Sequence, residues 1–172
     1  MTFMNSDELF DMALQASQAN DTQKSIGLIK DALDQSPDDA RMWYMLGTLY
    51  TNIGIYDKAI ANMEKALELD SDYSIARFHL GLLYLMSGRR EYAETTWKLL
   101  DALGEAHYLS LFKAGLLKIV NDQLQEGIDL IRRGIANNHL SESLNKDMET
   151  VVEHASLSLK EMTLNEESAE RS

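Results

Sequence analysis

The chain contains no cysteine, so neither a disulfide framework nor a thiolate metal site can form. Proline occurs once, at Pro37, and β-branched runs are scarce, so little in the sequence interrupts helix. No apolar run approaches the ~20 residues that span a bilayer. The opening stretch MTFMNSDELF has no basic segment followed by an apolar one, so a secretory signal is not expected and a cytoplasmic location is. Positive charge is also short: 16 Lys and Arg stand against 28 Asp and Glu, for a net charge of −12. That field is the wrong sign for nucleic acid or an anionic membrane surface as the main ligand. The acid is concentrated at the ends, with residues 1–39 at −6 and residues 142–172 at −5.

What is present is helical periodicity with a repeat. In ARMWYMLGTLYTNIGIYDKAIANMEKALELDSDY, residues 40–73, apolar and small residues recur at helical spacing and break once, at Gly54. Trp43, Leu46, Gly47 and Tyr50 share one face of the first helix, and Gly47 leaves room for a second helix bearing Ala59 and Ala66. The spacing Trp-x2-Leu-Gly-x2-Tyr, then Gly, Tyr-x-x-Ala and a later Ala resembles the tetratricopeptide repeat, of a small bacterial-type protein. A shift of 34 residues forward places Leu80, Gly81, Tyr84, Gly88, Ala93 and Trp97 in the same register, with Arg77 for Trp43 and Leu100 for Ala66. A shift back places Ala13, Ser25, Ile29 and Ala32 there, and Pro37 at the closing position, with Ser36 expected to cap the next helix. A second forward shift gives a degenerate fourth unit, in which Ala114, Gly115, Gly127 and Gly134 imply close helix contact.

The resemblance implies an all-α, right-handed superhelical solenoid. Its repeats would span 6–39, 40–73, 74–107 and, in degenerate form, 108–141, followed by a capping helix over 142–163 and a disordered tail over 164–172. It also implies a function in binding proteins, with the first helix of each repeat lining a groove. The positions left free by the signature in the central unit are Arg41, Tyr44, Thr48 and Asn52. Extending that stripe shows aromatics at Phe10, Tyr44, Phe78 and Phe112, each 34 residues from the last. They are candidate contacts for a partner, or packing between adjacent first helices. Residues 75–86 and 109–120 are apolar on nearly every side, which adds Leu82 and Leu116 to the candidate groove. The clamp that holds acidic chaperone tails in some members would fall on Phe10, Leu14, Met45, Ile75 and His79, none of which has the required type.

Nothing in the sequence assembles a catalytic, cofactor or metal site. His79, His107, His139 and His154 lack ligand spacing, and no phosphate loop or nucleophile elbow occurs. The expectation is a non-catalytic adaptor or assembly factor that binds a protein segment. A chaperone of bacterial secretion and a homodimer that buries the groove are the alternatives.

Overall fold

The computed structural model describes residues 3–172, and among these residues it contains nine α-helices, one 3-10 segment and no strand. The helices come in antiparallel pairs: α1 (Ser6–Gln18) with α2 (Thr22–Gln35), α3 (Ala40–Asn52) with α4 (Tyr56–Leu69), α5 (Ser74–Met86) with α6 (Arg90–Trp97), and α7 (Tyr108–Val120) with α8 (Leu124–Asn137). A last helix, α9 (Glu142–Glu170), packs on α8. The fold is that of an all-α helix-turn-helix repeat. The chain divides into two compact units, residues 1–98 and 99–172.

The turn chemistry repeats as faithfully as the cores. Within each pair one residue adopts a left-handed backbone: Asn20 (φ 60°), Gly54 (76°), Gly88 (76°) and Asp122 (60°). These positions are 34 residues apart. Glycine reaches that region without a Cβ penalty, and Asn and Asp are the side chains that best tolerate it. The first and last turns therefore keep the geometry without the glycine that marks the middle two.

Close approach between paired helices depends on small residues. A Cβ on Gly81 would lie 2.0 Å from Nε1 of Trp97, so the indole occupies the space a side chain would need. In the second unit the contact is reciprocal: a Cβ on Gly115 would meet the Gly127 carbonyl oxygen at 2.9 Å, and one on Gly127 would meet that of Gly115 at 2.8 Å. In the first pair, buried Ser25 donates its hydroxyl proton to the Ala13 carbonyl at 2.7 Å, so a polar residue serves at a small position at no cost in unpaired groups.

Three local features differ from the sequence reading. Ser36 does not cap α3; its hydroxyl donates to that of Ser6 at 2.8 Å, and the cap is Asp39, which accepts the Arg41 N–H at 3.0 Å. Pro37 and Asp38 form a turn that delays the helix start. The residues read as a disordered tail are helical through Glu170, because no Gly or Pro interrupts 142–170 and Glu and Ala in the last turns favour helix. Finally, α6 is only eight residues long and gives way to 3-10 geometry at Lys98–Leu103, where Leu100 stands in place of a small residue.

Candidate partner-binding face

The outward stripe of α3 lies opposite its Trp43–Tyr50 core face, and the first unit extends it onto α1 and α5. Arg41 joins α3 to α1. Its Nε and Nη2 donate to Asp39 Oδ1 and Oδ2 at 3.1 and 2.7 Å, its Nη2 also reaches Asp7 at 3.4 Å, and its guanidinium lies 5.1 Å from the Phe10 ring centre. The Arg41 hydrogen bonds hold the Asp39 carboxyl below the usual carboxylate range. Reciprocally, bonding to Asp39 holds the guanidinium charged. Because Arg41 and Asp7 remain largely solvent-exposed, this network places a planar cation more than it adds stability.

Tyr44 joins α3 to α5. Its ring stacks on His79, with centroids 5.5 Å apart and planes 13° from parallel, and meets Tyr73 at 5.2 Å. His79 in turn contacts Phe78 at 5.9 Å, and Phe78 stacks on Trp97 at 5.9 Å. An aromatic chain thus runs from the half-buried Tyr44 and Tyr73 into the core. Burial lowers the His79 pKa to about 4, so its imidazole is neutral at pH 7.

The 34-residue aromatic ladder does not stay on one surface. Phe10 and Tyr44 are half-buried, whereas Phe78 and Phe112 are 0% exposed. In the first unit the rung beside Tyr44 is His79, one residue past the expected position. Successive residues project about 100° apart on a helix; Phe78 faces the core, where its ring stacks on Trp97 and its backbone carbonyl accepts the Trp97 indole N–H at 2.9 Å. In the second unit Phe112 lies beneath Gly134, where a Cβ would come within 2.5 Å of the ring. Leu116 is also buried. Phe78, Phe112 and Leu116 are therefore core residues and not partner contacts.

The other expected residues remain at the surface. Asn52 is exposed, Leu82 is half-buried, and Thr48 is half-buried with its hydroxyl donated to the Met45 carbonyl at 2.8 Å. Tyr73 is not among the expected residues: it ends the turn before α5, outside the helical register of the repeats. Among the described residues no group of three or more His, Asp and Glu could hold a metal ion, and no helix is long and apolar enough to cross a membrane. What the face offers is a fixed cation, half-buried stacked rings, and polar groups along one helix.

Comparison with known proteins bears on the fold. Residues 40–73 match the model of a family described as tetratricopeptide repeat. No curated protein sequence matches the chain. Among solved structures, MamA (residues 41 to its end) of Desulfovibrio magneticus RS-1 is similar, with a TM-score of 0.64 at 16% identity over 95% of this chain and 96% of that one. The Cut9–Hcn1 hetero-tetramer of the APC/C gives a TM-score of 0.77 at 16% identity, over 91% of this chain and 31% of that one. YrrB, a TPR protein with an unusual peptide-binding site, gives 0.61 at 18% identity, over 78% of this chain and 69% of that one. At these identities the fold is what is shared.

Proposed function

We propose that this tetratricopeptide-repeat protein, whose central repeat is residues 40–73, is a non-catalytic adaptor that holds a segment of another protein against α1, α3 and α5. The observation that carries this reading is the pre-assembled rung of Phe10, Arg41, Tyr44, Tyr73 and His79. Its rings are half-buried before any partner arrives, and its cation is already oriented by Asp39 and Asp7. Rigid aromatic and Arg side chains lose little freedom on binding, which is why such groups dominate interface energies. Thr48, Asn52 and Leu82 extend the same face. A peptide-binding site in a protein of the same fold, YrrB, supports the class of ligand.

The test is a photo-crosslinking residue placed at Asn52 in living cells, with an exposed position on α2, Gln23, as control. The reading predicts discrete adducts from Asn52 that diminish when Tyr44 is also changed to Ala. Equal adducts from both positions, or none from Asn52, would refute it. A chaperone of a bacterial secretion system is a narrower form of this reading, and the adduct's identity as a secreted protein would select it.

A second reading, self-association, draws on α9, where Leu157, Met162 and Leu164 are 60%, 46% and 53% exposed. Sedimentation at micromolar concentration should then show a dimer that Leu157→Glu returns to monomer.

A further inference from the structure

A cleft of about 460 Å³ lies on the other side of α3, between α2 and α4, lined by Lys30, Leu33, Asp34, Trp43, Leu46, Tyr50, Lys58, Ala61 and Asn62. Two features set it apart from a packing groove. The Asn62 residue is 9% exposed, and its side-chain amide nitrogen is buried with no hydrogen-bond partner. A buried donor left unpaired is costly, and one that lines a cleft calls for an acceptor from outside. In the lining of the same cleft, the ammonium groups of Lys30 and Lys58 lie 5.8 and 5.3 Å from the centre of one ring, Tyr50. Neither lysine forms an ion pair among the described residues. This concentration of positive charge occurs on a chain of net charge −12.

We propose that this cleft is a second docking site, for the carboxylate side chain of an acidic peptide segment. One carboxylate oxygen accepts the Asn62 amide proton, and the charge sits between the two lysines. The exposed carboxylate of Asp34 at the rim leaves the cleft one net positive charge, which suits a monoanion better than a phosphate dianion. The floor of Leu33, Trp43, Leu46 and Tyr50 is apolar, so an apolar residue beside the acid is held as well, which favours a peptide over a free carboxylate. The site does not depend on the face of Tyr44 and Arg41, and the two can fail separately.

The experiment is a titration of the full chain, followed by the NMR signals of the Asn62 side-chain amide and the Trp43 indole. The probes are a capped peptide of alternating Glu and Leu, the same peptide with Gln for Glu, sodium acetate and inorganic phosphate. The proposal predicts saturable shifts with the Glu peptide alone, weakened about tenfold in K30Q/K58Q and unchanged in Tyr44→Ala. Asn62→Leu, which removes the unpaired donor, should lose the binding while keeping or raising the melting temperature. Equal response to the Gln peptide, to acetate or to phosphate would overturn it, as would the absence of any saturable shift.

Discussion

Positions 44 and 78 occupy the same place in successive repeats, yet one is surface and the other core. Tyr44 is half-buried against Tyr73 and His79, whereas Phe78 is wholly buried against Trp97. The second helices of the two pairs differ as well. In α4 the large core residue is Met63, whose Cε would lie 2.9 Å from a Cβ on Gly47. In α6 it is Trp97, whose indole fills the void at Gly81 and reaches on to the Phe78 carbonyl. Phe112 is buried as well, with Ile131 behind its Gly115, so a larger residue there accompanies the burial of Phe78 without being required for burial at this position. Position in a repeat defines an address, and the neighbours decide whether it faces solvent.

The largest expected effect follows from that contrast. Phe78→Ala and, separately, Phe112→Ala should each cost about 4 kcal/mol of stability, read by urea denaturation, because each empties a fully enclosed ring-sized space. A loss below about 1 kcal/mol would return them to the surface.

His79 supplies the next effect. Its folded pKa of about 4 is below the unfolded value of about 6.5, so the unfolded chain takes up the proton first as pH falls. Its contribution is complete above about pH 6.5 and is lost between there and about pH 4, a change of about 3 kcal/mol. Nearby carboxylates titrate in the same range, so the test is the difference in melting profile between wild type and His79→Leu, whose slope should be shallower over that window.

Gly81→Ala should cost about 2 kcal/mol, since the methyl group must displace the Trp97 ring. The double variant with Trp97→Leu should cost less than the two single losses added, because the second change makes room for the first.

Most of the scaffold could be read from residue types alone. Gly47, Gly81 and Gly115 mark close helix crossings where only small residues fit, and the period of 34 follows from their spacing. The turns at Asn20 and Asp122 were harder to see, because Asn and Asp occupy left-handed positions less distinctively than glycine. The site was legible only where the contacts are local to one helix. Along α3, Arg41 and Asn52 are exposed and Tyr44 and Thr48 are half-buried. The burial of Phe78 is not legible in its own helix, because its ring stacks on Trp97, nineteen positions later in the chain. No periodicity within one helix carries that information.

The smallest effect on stability belongs to the change with the largest effect on function. In an R41A/Y44A variant the affinity for the protein crosslinked at Asn52 is to be measured on the same preparation as the melting temperature. The account predicts loss of binding with a melting temperature within about 4 °C of wild type, as expected for a stability change near 1 kcal/mol or less. Retained binding, or a fall in stability as large as that of Phe78→Ala, would contradict it.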